Sequence, residues 1–143
     1  MSAELRPLIL VVEDNPANLL LVRSVLQLHG MSVAAAGTVA EARRAIVEAM
    51  PDLVLMDVRL PDGNGLDLTR ELKASPATAS MLIVALTAHA MKGDDEAARA
   101  AGCDGFITKP LDTRTLAVDL RRFLDRGRTA DLQRTAPGLR SRP

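Results

Sequence analysis

Tryptophan and tyrosine are absent and only two phenylalanines occur, so aromatics make up 1% of a chain that is 48% hydrophobic. The core must therefore be built from Leu, Val, Ile, Ala and Met, with tight aliphatic packing supplying the stability. A single cysteine, Cys103, excludes an intrachain disulfide and points to a reducing compartment. Following Gly102, it reads as a small buried thiol. No apolar run approaches the roughly 18 residues needed to span a bilayer, and the opening MSAELRP has no apolar stretch of signal-peptide length. A soluble, cytoplasmic protein without membrane insertion is expected. Net charge is also lacking, but the balance is uneven. The last 17 residues carry Arg128, Arg134, Arg140 and Arg142 against Asp131, which leaves the preceding 126 with 14 basic and 17 acidic residues. No basic strip for nucleic acid is evident in the body.

The 143 residues present are one domain's worth, with no room for a second catalytic or DNA-binding domain. Short aliphatic runs alternate with helix-length amphipathic segments. Strands are predicted at Leu8–Val12, Ser32–Ala36, Leu53–Asp57, Met81–Thr87 and Gly105–Thr108. Asn15 as N-cap and Pro16 at the first helical position open a helix to Leu28 that Gly30 ends. Thr38 with Glu41 makes a capping box for a helix to about Ala49. Further helices are predicted over Leu66 to about Ala74, Lys92–Ala101 and Asp112 to about Arg126, with residues 60–65 as a turn-rich loop. Strands so continuously apolar belong in a parallel sheet covered on both faces. With right-handed crossovers, the expected α/β architecture is a flavodoxin-like three-layer sandwich with strand order 2-1-3-4-5. One domain is expected over residues 1–126, followed by a disordered basic tail over 127–143.

Each of four apolar runs delivers a polar group at its C-terminal end: Glu13-Asp14 after LILVV, Asp57 closing LVLMD, Thr87 after MLIVAL and Lys109 after GFIT. A parallel sheet brings all of these to one edge, where open α/β sheets place their chemistry. Three carboxylates that close together raise one another's pKa unless a cation sits among them. A hard divalent cation answers that need, and Mg²⁺ held by carboxylates, water and a substrate phosphate fits best. A carboxylate nucleophile, a metal, a lysine and a hydroxyl suit the acceptance of a phosphoryl group, with an aspartyl phosphate as product.

The segments VVEDNPAN, LVLMDVRLPDGNG, ALTAHAMKGDDEAARAAGC and GFITKPL together resemble the signature segments of the response-regulator receiver (CheY-like) family, over about residues 7–126. The resemblance implies that Asp57 is the phosphoacceptor. Glu13 and Asp14 would be the acidic pair, with Asp14 the more direct Mg²⁺ ligand, and the backbone carbonyl of Arg59 would complete the protein ligands. Thr87 would be the switch hydroxyl that swings to the phosphoryl group, Lys109 the ion-pair partner of that group, and Phe106 the aromatic that changes rotamer, although a core aromatic is an equally natural reading there. Pro110 would follow a cis bond. Arg59 and His89, each two residues past a key position, would modulate dephosphorylation by shielding the phosphoryl group; His89 as a plain loop residue is the alternative.

Taken together, a stand-alone receiver in a bacterial two-component system or phosphorelay is expected, a switch rather than an enzyme. Its donor would be a histidine kinase or histidine phosphotransfer protein. Its output would be a protein target bound through the fourth helix, fifth strand and fifth helix, near Lys92, Phe106 and Arg114. The protein itself would be a monomer or weak dimer. The loops look most like those of DivK-type cell-cycle regulators and hybrid-kinase receivers. Three other readings differ in kind. A phosphohydrolase forming an aspartyl phosphate would want a second Asp where Arg59 stands. A dinucleotide-binding domain would want G-x-G-x-x-G where EDNPAN stands. A degenerate receiver kept as a scaffold would not need the intact Glu13, Asp14, Asp57, Thr87 and Lys109.

Overall fold

The computed structural model describes residues 6–88 and 94–135. One sheet holds β1 (Leu8–Val12), β2 (Ser32–Ala36), β3 (Leu53–Asp57), β4 (Leu82–Thr87) and β5 (Gly105–Thr108). Between and after them run α1 (Pro16–Leu28), α2 (Val39–Glu48), α3 (Gly65–Ala74), α4 (Asp94–Ala101) and α5 (Leu116–Thr135). The strands pair in parallel in the order β2-β1-β3-β4-β5, the flavodoxin-like arrangement expected.

Strand alternation divides the core between the two faces. Ile9, Val11, Leu53, Leu55, Val84 and Leu86 point to the side covered by α1 and α5, where Val22, Leu26, Leu116 and Leu120 meet them. Leu10, Val12, Val54, Met56 and Ile83 point to the side covered by α2 and α3, against Ala42, Ile46, Leu68 and Leu72. Ala85 packs under α4 with Ala98, Ala101 and Leu66. The cluster members of β3 have no exposed surface at all. Both faces of that strand are used, which is why its sequence shows no polar alternation.

The helix starts follow local chemistry. Asn15 Oδ1 accepts from the amides of Ala17 and Asn18 at 2.9 and 3.1 Å, with Pro16 in the first turn. Thr38 Oγ1 accepts from the Glu41 amide at 3.0 Å, while Glu41 Oε1 reaches back to the Gly37 amide at 2.7 Å, one residue before the cap. The fourth strand starts at Leu82 and α3 at Gly65, each one residue from expectation, and larger differences occur in the loop after β3 and at the two ends of α5. Arg59–Leu60 and Gly63–Asn64 form a two-residue antiparallel ladder inside the predicted loop, too short to leave an alternating pattern in the sequence. Asp112 opens a turn instead of starting the helix, its side chain and carbonyl accepting from the amides of Arg114 and Thr115, and α5 begins at Leu116. At its other end α5 passes Arg126 and Gly127 to reach Thr135. Glycine inside a helix costs only about 1 kcal/mol against alanine, and the Arg, Ala, Leu and Gln that follow are good helix formers. Among the described residues no helix is long and apolar enough to cross a membrane.

Candidate functional site

The carboxyl edge of the sheet gathers the groups. Past β1, the Glu13 amide still bonds the Ala36 carbonyl at 2.9 Å, so the residue is carried on the sheet with its side chain almost fully buried. Its Oε2 accepts from the Asn15 amide at 3.1 Å, coupling the acid to the start of α1. Asp14, beside it, is exposed. Asp57 is the last residue of β3 and 6% exposed. Its Oδ2 accepts from Lys109 Nζ at 2.9 Å and its Oδ1 from the Arg59 amide at 3.2 Å.

Lys109 arrives from β5, its amide bonded to the Thr87 carbonyl at 2.7 Å and its peptide bond to Pro110 cis, as expected. The ammonium also lies 3.0 Å from Glu13 Oε1. That pair is ionic only: Glu13 Oε1 is buried and has no aligned hydrogen-bond donor. Burial alone would lower the lysine pKa, but the hydrogen bond to Asp57 and then the ion pair with Glu13 outweigh it and hold the ammonium above its ordinary value. Thr87 ends β4 with 8% of its surface exposed.

Glu13, Asp14 and Asp57 each offer a carboxylate oxygen, all within 4.8 Å of one another. Lys109 is a single positive charge among three such groups. The donor set consists of hard oxygens, one of them buried without a hydrogen-bond donor, and this fits a divalent cation such as Mg²⁺. The cluster opens into a cleft of about 620 Å³, whose lining also includes Asn18, Arg59, Leu66, Thr87 and Ala97.

The sheet therefore brings Glu13, Asp14, Asp57, Thr87 and Lys109 together, and the Arg59 backbone joins them. Phe106 is not among the residues lining the cleft. It pairs across from Ala85 and packs, half-buried, against Leu66, Ala98 and Ala101. His89 and Lys92 lie outside the described residues. Two contributors are not evident from sequence reasoning. Gly65 begins α3 so close to the acceptor that a Cβ there would fall 2.1 Å from the Asp57 carbonyl oxygen. Glycine is a poor helix residue, and its place at a helix start was the available signal. Asp62, discussed below, bonds to a helix far away in sequence and left no such signal.

The family described as the response regulator receiver domain matches residues 9–121, and the chain belongs to it. Receivers of this family are signalling switches that gain and lose a phosphoryl group, not enzymes turning over an external substrate. The polar-differentiation response regulator DivK of Brucella ovis is 34% identical over 116 residues, covering 81% of this chain and 94% of that protein. Among solved structures, the receiver domain of the sensor histidine kinase PA1611 from Pseudomonas aeruginosa, with a magnesium ion coordinated in its active site cleft, is 34% identical. It superposes with a TM-score of 0.76 over 84% of this chain and 98% of its own. A response regulator of Chloroflexus aurantiacus superposes with a TM-score of 0.80 at 27% identity, over 84% of this chain and 98% of its own.

Proposed function

We propose that Asp57 accepts a phosphoryl group from the phosphohistidine of a histidine kinase or a histidine phosphotransfer protein. The observation that carries this reading is the nearly buried Asp57 carboxylate at a strand end, bonded to Lys109 and clustered with two further acids at the mouth of a cleft. An Asp57 carboxylate oxygen attacks phosphorus in line. The O–P bond forms as the P–N bond to histidine breaks, and the histidine nitrogen leaves with the bonding electron pair. Lys109 is placed to neutralise charge on the arriving phosphoryl oxygens, and the Arg59 amide holds the second carboxylate oxygen in orientation. Glu13, Asp14 and Asp57, with the Arg59 backbone carbonyl, would hold Mg²⁺, which when bound there supplies further positive charge facing those oxygens.

The phosphoryl group adds about −1.5 to −2 charges at the site. The Thr87 hydroxyl, at the end of β4, is drawn towards them, and Phe106 shifts within the alanine-lined contact under α4. That biases a pre-existing equilibrium in the face made by α4, β5 and α5, through which a protein target is bound. Likeness to DivK supports a place in a phosphorelay of that kind. Arg59, on the cleft wall, and His89 shield the acyl phosphate from water and lengthen its life; Arg59→Ala and His89→Ala are expected to speed the decay of labelled protein, and no change in either would remove that role.

Phosphotransfer profiling against the host's histidine kinases and phosphotransfer proteins, with Asp57→Asn as control, tests the reading. Rapid labelling by one donor, lost in the variant, is expected. Absence of labelling by any donor and by acetyl phosphate with Mg²⁺ would favour a scaffold instead.

A further inference from the structure

We propose that Asp62 is a positioning residue for this site: its carboxylate pins the tip of the loop after β3 to the first turn of α2 and thereby fixes the Arg59 backbone beside Asp57. The inference rests on the proposed role of Asp57 and its neighbours as the phosphoryl and metal site.

Asp62 Oδ1 accepts from the Val39 amide at 2.7 Å and Oδ2 from the Ala40 amide at 3.1 Å, across 23 and 22 residues of sequence. Helix α2 already has a local cap in Thr38, which takes the Glu41 amide. Together the two residues occupy the first three amides of α2, so Asp62 adds a tie between elements to a helix start that Thr38 already serves. The loop it ties has its base in the site. Asp57 Oδ1 accepts from the Arg59 amide, the Gly65 amide bonds the Val58 carbonyl at 2.8 Å, and Asn64 Oδ1 takes the Leu66 amide at 2.7 Å.

Between base and tip, Arg59 pairs with Asn64 and Leu60 with Gly63. Leu60 packs against the core cluster that includes Val39 and Ala42, and a Cβ on Gly63 would lie 3.3 Å from Val39 Cγ2. The tip is thus seated on α2 by two hydrogen bonds and by the apolar packing of Leu60. The two-rung ladder carries that placement to Arg59, whose amide holds Asp57 and whose carbonyl is the proposed metal ligand. A tip released from α2 would let the ladder tilt as a unit and loosen both. Consistent with a well-bonded carboxylate, the Asp62 carboxyl is held below the usual range, first by the Val39 amide.

The test compares Asp62→Ala with Thr38→Ala in the full chain, since each removes hydrogen bonds from the first turn of α2 but only the first frees the loop. Mg²⁺ affinity is read by titration calorimetry, and exchange of the Arg59 amide is read by NMR in metal-free protein. Asp62→Ala is expected to weaken Mg²⁺ binding about ten-fold, as loss of a supporting partner typically does, and to speed Arg59 exchange. Asp62→Asn, keeping one acceptor, recovers part of both, while Thr38→Ala lowers stability and leaves both readouts unchanged. Equal effects of Asp62→Ala and Thr38→Ala, or no effect of Asp62→Ala, would overturn the proposal. Should the wild-type protein fail to bind Mg²⁺, the metal reading falls, and Arg59 exchange alone decides the role of Asp62.

Discussion

Asp57 is held by two donors from different parts of the chain, Lys109 Nζ at 2.9 Å and the Arg59 amide at 3.2 Å. Lys109 answers only part of the negative charge around it. Lys109→Met should therefore destabilise metal-free protein by roughly 1–3 kcal/mol, because Asp57 loses one of its two donors and Glu13 its countercharge, and should increase the stabilisation given by Mg²⁺. Urea unfolding with and without Mg²⁺ measures both, and a smaller Mg²⁺ effect in the variant than in wild type would contradict the charge argument. Gly65→Ala meets backbone, with a Cβ 2.1 Å from the Asp57 carbonyl oxygen and 2.8 Å from Met56 Cγ. A loss of roughly 1–3 kcal/mol or more is expected, together with slower phosphorylation. Gly63→Ala, facing a single side-chain methyl at 3.3 Å, is the milder comparison. At this scale the acids, Thr87 and Lys109 were legible because each ends an apolar run and a parallel sheet aligns run ends. Asp62 was not, because its partners lie across the fold and nothing in a single chain pairs residue 62 with residues 39–40; Gly65 offered only a glycine at a helix start, since its closeness to Asp57 exists only once α3 packs back on the end of β3.

Helices and strands were legible wherever a cap and a periodic pattern coincided, as at Asn15-Pro16 and Thr38. They were misjudged where one of these was missing, as at the short ladder and at both ends of α5. Tertiary ties between elements were invisible altogether. Lys73, near the end of α3, reaches the Met81 carbonyl at 2.7 Å and Asp104 Oδ2 at 3.0 Å, and that same oxygen takes the Ile83 amide at 2.8 Å. Gly102, at φ 101°, lets the chain pass close over the lysine stem. These bonds gather α3, the start of β4 and the turn before β5 at the sheet edge opposite the site. Lys73→Met should cost roughly 1–2 kcal/mol in urea unfolding, since it breaks charge-assisted bonds while keeping the stem. Because the tie is remote from Asp57, phosphorylation by acetyl phosphate should be unchanged; a loss of labelling without a loss of stability would contradict this placement.

Across the whole molecule, two aliphatic clusters on either side of one sheet carry the fold, as an almost aromatic-free composition required. Surface ties add a pH dependence. The carboxyls of Asp62, Glu71 and Asp112 are held low, chiefly by the Val39 amide, the Arg43 guanidinium and the Arg114 amide respectively. Depressed carboxyls stabilise the folded state above their unfolded-state values, and that contribution disappears as pH falls through the folded-state values. Stability should therefore hold down to the ordinary range of 3.8 for Asp and 4.5 for Glu and decline below it, which urea midpoints at successive pH values will show. The central claim is that this edge of the sheet accepts a phosphoryl group on Asp57. Intact-mass measurement and peptide mapping after incubation with acetyl phosphate and Mg²⁺ test it most directly. A single phosphoryl group on the peptide containing Asp57, absent without Mg²⁺ and absent in Asp57→Asn, is predicted; undiminished labelling of Asp57→Asn, or a phosphoryl group mapped elsewhere, would contradict the account.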